Sequence, residues 1–160
     1  MLFKALTLVT AAIVLGGCGF HVRGASDLPP KMERTYIATD DRHSQFYQAL
    51  RTELIQSGLE IVDSPADATA IFSIHHDVTR QRVLSVSARN VPTEYEVYYT
   101  VRYSVESGQE SLLDLRTQTL VQDYTWDPTL VLGKEKEQQQ LRKAIVGDLV
   151  RVVMIQLSSL

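Results

Sequence analysis

Tyr95-Glu96-Val97-Tyr98-Tyr99-Thr100-Val101-Arg102-Tyr103-Ser104-Val105 carries an apolar side chain at every odd position and, Tyr98 apart, a polar one at every even position. Neighbouring side chains on an extended backbone point to opposite faces, so this stretch reads as a strand with one face on a core and one in water. The same period runs through Phe72, Ile74, His76 and Val78 and again through Leu84, Val86 and Ala88. It predicts one long strand from Ala70 to Ala88, bulged near Arg80-Gln81-Arg82. Arg89-Asn90-Val91-Pro92-Thr93 then joins the two as a hairpin, and Ser107-Gly108-Gln109-Glu110 is a second turn before a strand from about Leu112 to Trp126. Tyr95, Tyr99 and Tyr103 lie on the core stripe with Val97, Val101 and Val105, which makes them packing residues rather than an aromatic platform for a ligand.

On the N-terminal side, Arg34-Thr35-Tyr36-Ile37-Ala38-Thr39 is β-prone and predicts a first strand. Asp40 and Asp41 offer helix-capping oxygens ahead of Phe46, Tyr47, Leu50, Leu54 and Ile55, whose spacing by threes and fours forms one apolar stripe. Ser57-Gly58 ends that helix, Leu59 to Val62 is extended again, and Ser64-Pro65-Ala66-Asp67 is a turn. Beyond the long strands, Asp127-Pro128 breaks the sheet. The polar run from Lys134 to Gln140 then precedes a helix marked by Leu141, Ile145, Leu149, Val152 and Val153. The order β-α-β-β-β-α, with one stripe per helix and one apolar face per strand, is satisfied by an α+β fold. Both helices pack on one face of a four-stranded mixed sheet, and the other face is left polar.

The 160 residues suffice for one core, and 44% apolar with 22% charged residues excludes a disordered chain. Residues 1–17 read as an address. Lys4 is followed by an apolar run from Ala5 to Leu15, shorter than the roughly 20 residues a spanning helix needs, and then by Gly16-Gly17-Cys18. This is the pattern of a signal peptide that stops at a cysteine. Cys18 is the single cysteine, so no disulfide forms within the chain and its most economical use is as an anchor. Acyl chains on that thiol contribute about 0.8 kcal/mol per buried CH₂, enough for permanent attachment. Residues 18–31 form an extended tether with Gly24, Pro29 and Pro30, and residues 32–160 form the single domain. Without Lys4 the balance is 15 basic against 19 acidic residues, which leaves no broad basic field for nucleic acid.

Signs of catalysis are missing from the sequence. His75 and His76 are adjacent on a strand and so are expected on opposite faces, unable to grip one metal. Asp40-Asp41 reads as a cap rather than an acid/base pair, and no nucleophile elbow, phosphate loop or dinucleotide fingerprint occurs. No cofactor and no enzyme activity are expected. Arg80, Arg82 and Arg89 lie on or near one hairpin and Lys134 follows Pro128; converging guanidinium groups suit phosphate, while ordinary exposed charge is the alternative.

Leu15-Gly16-Gly17-Cys18 resembles the lipobox of bacterial lipoproteins, with Cys18 the first residue of the mature chain, and Gly19 rather than Asp after it favours the outer membrane. Cys18-Gly19-Phe20-His21-Val22-Arg23-Gly24 behind that lipobox, with Arg89-Asn90, Thr93-Glu94-Tyr95, Asp127-Pro128, Leu130, Lys134 and Glu137-Gln138 in order, resembles the LptE family of lipopolysaccharide-assembly lipoproteins. The resemblance implies a non-enzymatic lipoprotein that plugs the outer-membrane β-barrel LptD and helps it assemble. It also implies that the protein binds lipopolysaccharide and takes part in its insertion into the outer leaflet, and it assigns lipopolysaccharide binding to Arg89 and Lys134. A generic envelope lipoprotein serving another partner is the alternative from the residues alone.

Overall fold

The computed structural model describes residues 28–126 and 131–160, the side chains of 131–135 excepted. Residues 1–17, expected as a signal peptide, Cys18 with the first part of the expected tether, and Asp127, Pro128 and Leu130 lie outside the described residues. The elements are β1 (Arg34–Ala38), α1 (Gln45–Gln56), β2 (Glu60–Val62), β3 (Ala70–Val86), β4 (Pro92–Ser107), β5 (Glu110–Thr125) and α2 (Val131–Leu157). They build an α+β fold whose sheet has five strands in the order β2-β1-β3-β4-β5 rather than the expected four. The extra strand is Glu60–Val62, paired in parallel with Arg34–Tyr36. At three residues it is too short to show a period of two, so in the sequence it reads only as an extended segment.

Both ends of α1 follow local chemistry. Ser44, not Asp40 or Asp41, is the N-cap, its side chain accepting from the Tyr47 N–H at 3.0 Å. Asp41 instead accepts from the His43 N–H at 2.8 Å and shapes the turn before the cap. The helix ends at Gly58, with φ +93°, where the Leu59 N–H reaches back to the Leu54 carbonyl at 3.1 Å. That left-handed residue reverses the chain into β2. Phe46, Tyr47, Leu50 and Leu54 are buried, whereas Ile55, expected in the stripe, is exposed. α2 begins at Val131, so the polar run from Lys134 is part of the helix rather than a lead into it. No helix among the described residues is long and apolar enough to cross a membrane.

Both helices cover the face of the sheet that carries the odd residues of β4. Val97, Tyr99, Val101, Tyr103 and Val105 are buried there with Phe72 and Ile74 from β3 and Leu149, Val153 and Leu157 from α2. Phe72 and Tyr103 stack with ring centroids 5.4 Å apart, and the Tyr103 hydroxyl donates to Gln156 Oε1 on α2. Burial pushes the Tyr103 phenol up to about 12. The Tyr99 hydroxyl donates to Asp77 Oδ1 at 2.5 Å; burial, first, and that carboxylate, second, raise its pKa.

β1 pairs with β3 only from Ala70 to Ser73, so β3, β4 and β5 continue past it as a three-stranded arm. At roughly 3.4 Å per residue, strands of this length reach about 50 Å. The alternation read along β3 fails at the root of this arm. The register shifts between Ile74 and His76, so that Ile74 opposes Tyr103 but His76 opposes Arg102. Opposed residues share a face, so Asp77, Thr79 and Gln81 continue the core side while His76, Val78 and Arg80 turn to the uncovered side. The bulge expected near Arg80-Gln81-Arg82 lies instead on either side of it, here and between Val83 and Val86. The uncovered face is polar as expected, with Glu96, Thr100, Arg102, Thr117 and Thr119, and a Thr100–Thr119 hydroxyl contact of 2.9 Å.

Candidate functional site

Sixteen consecutive residues, Val78 to Thr93, contain Arg80, Arg82 and Arg89 and no Asp or Glu, in a chain whose net charge is -3. The structure gathers them at the free end of the arm. The β3–β4 loop is held by its own backbone: Ser87 N–H to Val91 carbonyl at 2.8 Å, and Asn90 N–H to Ser87 carbonyl at 2.9 Å. The Val91 N–H also reaches Ser87 Oγ at 3.2 Å, and Asn90 takes the left-handed conformation at φ +59° that asparagine tolerates. Below the loop, Ser85 Oγ lies 2.9 Å from Thr93 Oγ1 and donates to Glu94 Oε2 at 2.7 Å. The tip is therefore preorganised, and it displays Arg89 at the loop's centre, exposed.

The three arginines differ in what they are free to do. Arg82 is committed to Glu96 at 2.5 Å, with its guanidinium 6.0 Å from the Tyr98 ring centre, and the Glu96 hydrogen bond raises its pKa further. Arg80 lies on the uncovered face opposite Tyr98, and Arg89 stands on the loop; among the described residues neither has an ion-pair partner. A fork of three arginines around one phosphate is thus not what the fold assembles. Lys134 sits on the first turns of α2 and its side chain lies outside the described residues. The backbone nonetheless fixes its level. Gln138, one turn further on, donates from Nε2 to Gln81 Oε1 at 2.7 Å, whereas Gln156, near the other end of α2, meets Tyr103 at the base. Helix position 134 therefore lies at the same end of the molecule as Arg89. Lys136 is exposed nearby.

The described chain begins at the opposite end. Leu28 packs against the core, and Lys31 pairs with Glu110, the first residue of β5, at 2.5 Å. Cys18 itself lies outside the described residues, but the chain that leads to it joins the base of the sheet, a full strand length from the Arg89 loop.

Among the described residues the other candidates do not assemble a reactive centre. The bulge brings His75 and His76 to the same, uncovered face, contrary to the expectation from strict alternation; His75 Nε2 lies 2.8 Å from Ser104 Oγ. Among the described residues no three potential metal ligands cluster. An open groove of about 510 Å³ between α1 and α2, lined by Gln45, Gln48, Thr52, Glu53 and Lys143, holds no nucleophile and base pair.

The sequence reading missed the aliphatic half of the tip. Val83, Leu84, Val86 and Val91 are 43–51% exposed around the Arg89 loop. The acid-free run from Val78 was the signal that could have found the site, because it marks a locally cationic stretch that average charge conceals.

Comparison with known proteins agrees with this architecture. The chain is 27% identical over 156 residues to the LPS-assembly lipoprotein LptE of Yersinia enterocolitica, covering 94% of this chain and 74% of that one. It is 26% identical over 155 residues to that of Pectobacterium atrosepticum, covering 93% and 83%. The solution structure of lipoprotein B from Nitrosomonas europaea superposes with a TM-score of 0.73 at 25% identity, over 88% of this chain and 91% of that one. The family described as LptE, lipopolysaccharide-assembly, matches residues 32–157, which is nearly the whole folded domain, and the chain belongs to it.

Proposed function

We propose that this protein is a non-enzymatic outer-membrane lipoprotein, anchored through Cys18, that sits as a plug in the lumen of the β-barrel LptD. In this reading it helps that barrel to assemble, binds lipopolysaccharide and takes part in its passage to the outer leaflet. Arg89 and Lys134 meet the anionic groups of that lipid. The observation that carries the reading, beside the family match over residues 32–157, is the separation of two ends. The tether joins the base at Lys31 and Glu110, while the cationic loop and the start of α2 stand at the far end of strands about 50 Å long. A bilayer with its headgroups is about 40–45 Å thick, so a rod of this length supports a domain that holds its anchor near one surface and Arg89 near the other. The polar uncovered face supports contact with a hydrated wall rather than with hydrocarbon.

Purification of the tagged, lipidated protein from detergent-solubilised outer membranes is expected to recover a large β-barrel in equal amount after stringent washing. Recovery of the lipoprotein alone would overturn the plug. Charge reversal at both cations, Arg89→Glu with Lys134→Glu, is expected to weaken lipopolysaccharide binding with the circular dichroism spectrum unchanged. Undiminished binding would remove the two residues from the site.

A further inference from the structure

Four of the nine exposed large hydrophobic residues among those described fall between Val83 and Val91. They ring the end of the β3–β4 hairpin, which beyond the Glu94–Thr125 pair is two strands wide, about 5 Å between backbones, with Val83 just below, where β5 still flanks β4. All four are aliphatic, the only ionised group from Val83 to Val91 is the guanidinium of Arg89, and the neighbouring Glu94 carboxylate is engaged by Ser85 Oγ at 2.7 Å. Protein-binding hot spots favour Trp and Tyr, and the aromatic residues at this end of the arm, Tyr95 opposite Val83 with Tyr124 and Trp126 beside it, are packed on one another, with ring centroids 5.6 and 6.1 Å apart. A narrow, hydrogen-bonded wedge with aliphatic flanks and one unpaired cation matches an amphiphile: alkyl chains for the flanks and a phosphate for the guanidinium.

We propose that this tip is a wedge for acyl chains, in which Val83, Leu84, Val86 and Val91 lie between the fatty-acyl chains of a phosphorylated glycolipid while Arg89 holds its phosphate. The inference rests on the reading that Arg89 meets lipopolysaccharide and adds which part of that molecule the hairpin grips, the acylated end rather than the saccharide. The bulge between Val83 and Val86 serves this directly. An uninterrupted strand would alternate its side chains across two faces, whereas the register shifts at Ser85 reorient Leu84 and Val86 relative to that alternation. The hydrogen bonds of the loop keep the aliphatic side chains in place before the ligand arrives, so little ordering is needed on binding.

The test compares intact lipopolysaccharide with fully deacylated lipopolysaccharide that retains its phosphates. Both are titrated in detergent against the full-length lipidated protein. The unsubstituted protein is expected to bind the intact form at least tenfold more tightly, since burial of even one or two aliphatic side chains suffices for that factor. Val86→Ser with Val91→Ser is expected to erase the preference and leave the affinity for the deacylated form unchanged. Leu84→Asn, on the bulge, should reproduce the loss independently. Arg89→Glu should weaken both forms together. Equal affinity of the unsubstituted protein for the two forms, or a preference that survives all three aliphatic substitutions, would overturn the wedge and leave the Arg89 contact standing. Binding of neither form would overturn the lipopolysaccharide reading itself and the wedge with it. Circular dichroism of each variant separates these outcomes from loss of fold.

Discussion

At the base of the sheet, β3 and β4 present Phe72, Ile74, Val101, Tyr103 and Val105 to two helices and a flanking strand, and all five are buried. At the other end β3 presents Val83, Leu84 and Val86 and the loop that follows presents Val91, and roughly half of each side chain meets solvent. The residue types hardly differ; the neighbours do. β1 stops at Ala38 and α1 begins beside Tyr99, which opposes Thr79, so among the described residues the N-terminal elements end short of Val83. Apolar residues at the base therefore hold the fold, whereas those at the tip contribute little to it and remain free to touch something else.

That contrast is open to measurement. Phe72→Ala should cost about 3–5 kcal/mol in denaturant unfolding, through lost transfer and a cavity beside Tyr103, whereas Val86→Ala should change stability by under about 0.5 kcal/mol. Comparable losses at the two sites would erase the distinction. Next in size, Tyr99→Phe removes the donor to Asp77 Oδ1, a carboxylate whose Oδ2 is already buried without a partner. A loss of about 1–3 kcal/mol is expected, and a neutral result would mean that water reaches this junction between base and arm. Ser44→Ala should cost about 1 kcal/mol and Asp40→Ala much less, because only Ser44 caps the helix that closes the base.

A gentler signature comes from alkali. Tyr103 keeps its proton up to about 12 in the folded chain, while an unfolded tyrosine releases it near 10. The native state then binds more protons than the unfolded one between those values. The corresponding stability is fully present below pH about 10 and is lost as pH rises to about 12. Thermal midpoints measured across that window should fall, and Tyr103→Phe should flatten its share of the slope. Smallest of all, Arg89→Ser should leave the midpoint within a degree or two, as befits an exposed loop cation that has no ion pair among the described residues.

Much of the base was legible in the sequence. The odd residues of β4 announce their burial by strict alternation, the α1 stripe by its spacing, and Gly58 by its place after the last apolar turn. What was not legible depends on single-residue events that periodicity averages away. One inserted residue at His75 transfers His76 and Val78 to the uncovered face, and no local composition marks it, since the bulge is set by pairing with β4. β2 was hidden by its brevity, and the capping role of Ser44 by two better-looking aspartates just upstream. At the site, Arg89 and Lys134 entered through family resemblance. Their common end of the molecule emerges only when Gln138 on α2 meets Gln81 on β3, a contact between residues far apart in sequence. Three of the aliphatic residues around Arg89, Val83, Leu84 and Val86, fall within the strand expected from Ala70 to Ala88, because apolar residues in an extended run look alike whether or not a helix covers them, while Val91 falls in the expected turn.

The placement of β1 between β2 and β3 also bears on how the chain comes to be folded. Both neighbours of β1 are made after it, and the pairing of Thr35 with Ala70 spans a long loop. The Tyr103 to Gln156 contact that ties α2 to the sheet closes a longer one. The β3–β4–β5 meander, in contrast, is built from adjacent strands and short turns. Local closures precede distant ones, so the meander is expected to form first and to wait, with its apolar face bare, for its first strand and its last helix. A chain handled N-terminus first stays open to escorts until nearly all of it has arrived. A holding chaperone would then find its binding surface on the odd side of β4, the face that the finished molecule hides most completely.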